Sequence, residues 1–451
     1  MLLLLLLFSL VLINIHHFSD FGYSLLMCSN FIVVLLLMWN VTDKKLTPAL
    51  LFFATFIFLF MGGRFWGVLL GSDDTLWRGT FFYNDYLNIH RRIGLLSYLL
   101  IFIYFFALGY KMSYSYKLLN KTYRLPNNTV TIMNRILNVF FYIVAPLNLY
   151  SIIQTFLSVL SSGSYLSLFI RQAGSYSSID SLAKTLLDIA FGFAMVFGTR
   201  QLKRNYLILF FFMAFVGLLM GGRGKFGCIL LFILWLYSQN HKINIKKLVL
   251  LTSSALTLLL VIFQFSIRNM NASVESSVLD LFASFFFSQG SSLFVFEISQ
   301  NFQYPFIPYI QSFIPGTSFI YSLISGETLS NSDVLFSHSL ASQLNPQLYH
   351  NGNGLGWTLM GDLYLFSGRN IYLFGVLTII FGYVLGYIER KSLTNPIYMV
   401  IIYTIFLKLM FLPRASLSSV VPLIIYVLVF VLVFMFVAQI SKLNSKHKVL
   451  L

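Results

Sequence analysis

Apolar runs recur along this chain at lengths suited to crossing a bilayer, and that pattern leaves few folds open. A helix needs about 20 predominantly apolar residues to span a hydrocarbon core, where no water is present to satisfy the backbone. The runs fall at Leu2–Ile15, Ser24–Trp39, Leu46–Met61, Ile93–Tyr110, Ile136–Phe156 and Leu182–Gly198. They continue at Tyr206–Met220, Phe226–Tyr237, Leu248–Phe265, Ile371–Ile388, Ile397–Leu412 and Val420–Ile440. They predict an all-α polytopic membrane protein with about 12 transmembrane helices, the shorter runs extending into flanking Tyr, Trp, Ser and Gly. Composition agrees, since only 10% of the 451 residues are charged, against about 25% in a soluble globular chain. Cys28 and Cys228 sit in separate apolar runs without ligand spacing, so neither a disulfide nor a metal site is indicated. The first run lacks a basic n-region and an Ala-x-Ala cleavage site, and reads as a retained span.

Charge sorts the connections into two alternating sets. One set holds Lys44 and Lys45, then Lys111 to Arg135, Arg200 to Arg204, Lys242 to Lys247, Arg390 and Lys391, and the tail from Lys442. It carries about 18 basic residues and almost no acids, whereas the other carries about 12, counting Lys184 and Lys408 inside spans, and nearly all the acids. The positive-inside rule makes the first set cytoplasmic, with both termini inside. The long polar interval from Arg268 to Arg369 is then a large external loop between helices 9 and 10, on the periplasmic or extracellular face. The chain divides into 1–267 with helices 1–9, 268–369 as that loop, and 370–451 with helices 10–12 and a basic tail. The net charge of +16 is explained by this distribution, and nucleic acid is not called for. Within the loop, Val278 to Ile298 is apolar but interrupted by Asp280, Gln289, Gly290 and Glu297. It reads as amphipathic helices lying on the outer membrane surface rather than as a further span.

Five arginines, Arg171, Arg223, Arg268, Arg369 and Arg414, fall at the outer boundary of the predicted spans. A single cation there is ordinarily a snorkelling anchor. Five of them on the face that the positive-inside rule depletes point to an anionic ligand, with diphosphate favoured because the guanidinium fork binds phosphate bidentately. Arg223 stands out in LLMGGRGKFGCIL, where glycines permit close backbone approach and leave N–H groups open at a helix start. Lys225 follows in the same turn, and no GxxxxGK[ST] loop is present. His338 and His350 are the histidines of the large loop and could serve as general base, phosphate donor or structural residue. No HExxH accompanies them, so neither metal nor cofactor is expected. Asp362 in GDLYLFSGRN is a substrate-binding candidate or a first-turn helix acid.

The architecture, the GGRGK turn and the stretch GWTLMGDLYLFSGRNIYLFGVLTIIFGYVLGYIERK together resemble the Wzy-type O-antigen polymerases of the bacterial envelope. The R-x10-G pattern of some members is not matched, because Leu182 stands where Arg171 would need a glycine. The resemblance implies an inner-membrane glycosyltransferase of GT-C type, working at the periplasmic face on undecaprenyl-diphosphate-linked oligosaccharides as donor and acceptor. A chain-length regulator in the same membrane is an implied partner. On that reading Arg223, Arg268, His338 and His350 are catalytic candidates, and Arg171, Lys225, Arg369, Arg414 and Asp362 bind substrate. An O-antigen ligase would share fold and donor but use lipid A–core as acceptor. A lipid-linked oligosaccharide flippase should instead show two related halves and charges within its spans.

Overall fold

A computed structural model describes residues 1–15, 18–72, 74–80, 82–115, 127–163, 178–241, 245–264, 277–327 and 329–447. The first part holds α1 (Leu2–Ile15), α2 (Asp20–Val41), α3 (Pro48–Thr55) with a π-helical continuation over Phe56–Phe60, and α4 (Gly63–Leu69). A short hairpin, β1 (Arg78–Thr80) and β2 (Tyr83–Tyr86), precedes α5 (Ile89–Ser115). Then come α6 (Asn127–Ser162), α7 (Ser178–Phe197), α8 (Arg200–Leu219), α9 (Arg223–Asn240) and α10 (Ile245–Gln264). The long polar interval forms α11 (Val278–Gln289), α12 (Ser292–Ser299), α13 (Ile307–Gln311), α14 (Thr317–Ser325), α15 (Asn331–Val334), α16 (Phe336–Leu344), α17 (Pro346–His350) and α18 (Leu359–Phe366). The chain closes with α19 (Ile371–Ser392), α20 (Pro396–Phe411) and α21 (Val421–His447).

Among the described residues eight helical segments are long and apolar enough to cross a membrane, and the pair Pro48–Phe60 and Gly63–Leu69, bent by 56°, makes nine. The protein is therefore all-α and polytopic, as the apolar runs predict. Several helices run well past their apolar runs, α5 and α6 above all, because polar ends do not stop a helix that is already nucleated.

Helix α19 shows how the bundle meets lipid. Tyr372, Val376, Ile380 and Val384 recur every fourth residue and stay exposed, whereas Thr378, Gly382 and Glu389 are buried. An apolar outer stripe with small and polar residues inside is the pattern of a lipid-facing helix. The buried face lies against α5 at backbone distance, since a Cβ at Gly382 would run into the Phe106 carbonyl. At the far end of α19 the Glu389 carboxylate accepts from the Ala49 N–H at 3.0 Å, Tyr110 Oη at 2.7 Å and Tyr114 Oη at 2.6 Å. That buried acid locks α3, α5 and α19 together with its acceptor oxygens satisfied.

The opposite end of the bundle receives the long interval. Helices α4 and α11 cross where Gly63 meets Gly290: a Cβ on Gly63 would stand 2.8 Å from the Gly290 nitrogen. Arg91 extends Nε to Glu297 at 2.6 Å and Nη1 to Asp85 at 3.0 Å, joining α5, α12 and the hairpin. All eight residues of α12 are buried, whereas α11 keeps Leu279, Asp280, Ser284 and Ser288 exposed. The 279–299 segment is one of the eight long enough and apolar enough to cross a membrane, the alternative to the expected surface-lying helices. The interruptions at Gln289, Gly290 and Glu297 are partners for Arg414, α4 and Arg91, not a solvent-facing stripe.

Candidate functional site

Helix α11 is the post on which the site is assembled. Ser277 and Asp280 cap it reciprocally: Ser277 Oγ accepts from the Asp280 N–H at 3.2 Å, and the Ser277 N–H donates to Asp280 Oδ2 at 3.0 Å. Phe285 and Gln289, four residues apart, share one face of the helix. The Arg223 guanidinium lies 5.2 Å from the Phe285 ring centroid, within cation–π range. Arg414 Nη1 donates to Gln289 Oε1 at 3.5 Å. The two arginines arrive on different elements, one at the first residue of α9 and the other after α20. Gly224 lets them converge, because a Cβ there would be 2.5 Å from the Phe411 ring. Gly222, the cap of α9, has no side chain to occupy the first-turn N–H groups. The start of this helix thus adds positive potential beside the two guanidinium groups.

Three lysines, Lys184, Lys225 and Lys408, form a second group on α7, α9 and α20. Lys408 Nζ pairs with Asp188 Oδ2 at 3.4 Å, yet 44% of the Lys408 side chain remains accessible. Lys225 is within electrostatic reach of Lys408, Lys184 and Asp188. Three lysines and one carboxylate on helices of the bundle are costly unless they face a wet cavity or a ligand. Arg223 opens the helix that carries Lys225, and Arg414 follows the helix that carries Lys408, an excess of positive charge on α9 and at the end of α20 that suits a multiply charged anion.

Asp362 works on this cluster from behind. It is fully buried on α18, where Oδ1 accepts from Trp357 Nε1 at 2.7 Å and Oδ2 from the Leu417 N–H at 2.5 Å. Burial raises its carboxyl from 3.8 to about 7 against the opposing hydrogen bonds from Leu417, Trp357 and Ser416. These bonds fasten the two segments that flank Arg414. One is the 415–417 turn, and the other is the Gly-rich run, in which a Cβ at Gly356 would stand 3.8 Å from Arg414 Nε. Asp362 is both the first-turn acid expected from sequence and a positioning residue for Arg414.

The other sequence candidates divide. Arg369 adopts a left-handed φ of 65° and donates from Nη2 to the Phe302 carbonyl at 2.6 Å, so it staples the large interval to the start of α19. His338 Nδ1 lies 3.0 Å from Tyr349 Oη, joining α16 to α17, and burial holds its pKa below the ordinary 6.5. His350 ends α17 and is exposed. Arg171 and Arg268 lie outside the described residues.

Sequence reasoning did not single out the grouping of Asp188, Lys184 and Lys408, although charges inside apolar runs were the available signal. It also missed that Met-Gly-Gly-Arg occurs twice, at 61–64 and 220–223, each time opening a helix against α11. The two arginines have different fates. Arg64 is 3% exposed, sits 4.0 Å over the Phe294 ring and 4.7 Å over Phe287, and donates to the carbonyls of Leu76 and Arg78. It is structural, while Arg223 belongs to the open cationic cluster.

No curated protein and no solved structure matches the chain. A family model described as O-antigen polysaccharide polymerase Wzy matches residues 1–448, which takes in every described element from α1 to α21. The chain belongs to the Wzy family of O-antigen polysaccharide polymerases.

Proposed function

We propose that this polymerase takes a growing glycan from its undecaprenyl diphosphate carrier and transfers it en bloc to the non-reducing end of a new lipid-linked repeat unit. The observation that carries this reading is the meeting of Arg223 and Arg414 on one face of α11, with Lys225 and Lys408 near the Asp188 carboxylate on neighbouring helices. Such a cluster would bind the donor diphosphate and stabilise the negative charge that develops as it leaves. Arg171 and Arg268 are proposed to join it from the segments before α7 and before α11. In the reaction, an acceptor hydroxyl oxygen bonds to the anomeric carbon of the donor sugar. The bond from that carbon to the diphosphate breaks, and its electron pair leaves with the lipid diphosphate. The hydroxyl proton passes to a base, for which His338 is the proposed group: its buried imidazole is neutral near pH 7, and Tyr349 orients it. His350 is the alternative base.

The same reading sets the protein in the bacterial inner membrane with both termini cytoplasmic, the cluster on the periplasmic face and a GT-C-like arrangement. Counting α1, α7, α9 and α10 as crossings, with α11–α12 as part of the 268–369 domain, gives about 12 spans. A chain-length regulator would act on the product from the same membrane.

Lipopolysaccharide from a deletion strain tests the assignment. The ladder should vanish while a core-plus-one-repeat band survives, and the wild-type gene should restore it. The Arg223→Ala, Arg414→Ala double variant should not restore it, at unchanged protein level. Loss of the single-repeat band as well would indicate the ligase or flippase, and a full ladder from the double variant would sink the diphosphate site.

A further inference from the structure

A second concave surface lies in the long interval, away from the cationic cluster. It is a cavity of about 930 Å³ between the 305–310 stretch, α14 and the 326–333 segment. This is within the range of small-molecule sites. One wall carries Phe306, which is 73% exposed, and Ile310. The other is formed by Thr317 and Tyr321 of α14, with Glu327 and Asp333 at the end. Left-handed glycines, Gly316 at φ 79° and Gly326 at φ 71°, bound α14 and hold it as a separate arm over the cavity. None of its residues is buried, so the arm is not packed against the body of the protein.

The lining has a definite chemistry. No Lys, Arg or His is among the described residues that form it, so nothing there attracts a phosphate, and two carboxylates repel one. Aromatic faces together with acceptor oxygens suit a neutral polyhydroxylated ligand. The apolar face of a sugar ring can lie on Phe306 or Tyr321, and its hydroxyls can donate to carboxylates. Glu327 is well placed for this, because its contact to Tyr321 Oη is a long 3.5 Å and leaves acceptor capacity. Asp333 already accepts from the Ser330 N–H at 2.9 Å and caps α15, so its carboxylate is fixed in place.

The cavity also connects to the cationic cluster through packed rings. Tyr304, next to Pro305 of the lining, meets Trp357 edge-on at 5.3 Å. Trp357 is hydrogen-bonded to Asp362 and adjoins Gly356, the glycine beside Arg414. Trp357 is buried and Tyr304 partly so, and together they tie the wall of the cavity to the residues that hold Arg414.

We infer that the cavity beneath α14 is a saccharide subsite that holds neutral or amino sugars of the lipid-linked substrate and disfavours uronic acids. This rests on the polymerase reading for the identity of the substrate, and the cavity's own chemistry selects the class of sugar.

The test uses the full chain in detergent with two probes. One is the oligosaccharide repeat unit freed of lipid and diphosphate by mild acid from the strain's own lipid-linked pool, and the other is oligogalacturonate. Saturation-transfer NMR should show contact with the repeat unit and none with oligogalacturonate. The Glu327→Gln, Tyr321→Ala double variant should weaken repeat-unit binding by about fivefold or more, whereas Arg223→Ala should change it by less than about twofold because this probe has no diphosphate. Leu323→Ala, on the outward face of α14, should leave it unchanged and controls for disturbance of the arm. In cells, the Glu327→Gln, Tyr321→Ala variant should yield a ladder of shorter modal length. Equal binding by wild type and double variant, no binding by wild type, or preference for oligogalacturonate would each overturn the subsite. If instead Arg223→Ala, Arg414→Ala cells keep a full ladder, the polymerase reading of the cluster fails, whatever the probe-binding result.

Discussion

Replacing Asp362 by Asn should invert its effect on stability between acid and alkaline pH. The carboxylate is fully buried and accepts from Trp357 Nε1 at 2.7 Å and from the Leu417 N–H at 2.5 Å. Asparagine keeps one acceptor oxygen but turns an NH₂ toward the other donor, leaving a buried N–H unsatisfied at about 1–3 kcal/mol. Against that loss stands the cost of burying a charge. The carboxyl is raised from 3.8 in the unfolded chain to about 7. A raised acid favours its neutral form in the fold, so stability is fully present below pH 3.8 and is lost progressively as pH climbs through about 7. The interval corresponds to about 4 kcal/mol in favour of the neutral side chain. At about pH 4 little of that penalty applies, and Asp362→Asn should be less stable than wild type by about 1–3 kcal/mol. At about pH 8 the whole penalty applies to wild type alone, and the variant should match or exceed it by up to about 3 kcal/mol. Other titrating groups are common to both proteins and cancel in the difference. Apparent melting temperatures in detergent, followed by intrinsic fluorescence at the two pH values, measure it. A deficit of the same size at both would show a carboxylate ionised throughout and refute the argument.

Lys408→Met removes a half-exposed partner of Asp188, so its effect on stability should stay within about 1 kcal/mol. Loss of a charge-assisted contact should nevertheless weaken lipid-diphosphate binding by about tenfold, measured by isothermal titration in detergent. Because burial lowers the His338 pKa, acid should begin to slow polymerisation in membranes only below the ordinary histidine value of 6.5. His338→Gln should abolish it, Tyr349→Phe should reduce it, and a full rate from His338→Gln would transfer the role to His350. Gly290→Ala forces a Cβ into the Arg64 backbone where α4 crosses α11. Overpacking of this kind costs about 1–3 kcal/mol, so the variant should melt earlier in detergent, while Gly354→Ala, which meets nothing within 4 Å, should not.

The class of fold was legible because a bilayer imposes a length and a polarity that apolar runs reveal directly. Tyr372, Val376, Ile380 and Val384 mark a lipid-facing stripe by spacing alone. In the segment 279–299 the limit is that spacing does not name partners. Its polar interruptions look like a wet face until Arg91 and Arg414 are seen to occupy Glu297 and Gln289. The same limit governs the candidate site. Arg223 and Arg414 could be selected as cations on the wrong side of the positive-inside rule, but Lys408 was counted only as a charge inside a span and Asp188 was not singled out. Their pairing across α7 and α20 depends on a helix packing that no local pattern encodes. The two Met-Gly-Gly-Arg turns carry the point furthest. Their local sequence is identical and both arginines lie against rings of α11, yet Arg64 is covered by Phe294 and the carbonyls of Leu76 and Arg78 while Arg223 is only half-buried. A motif therefore fixes where an arginine starts, and the residues that close over it decide whether it holds the fold together or can hold a substrate.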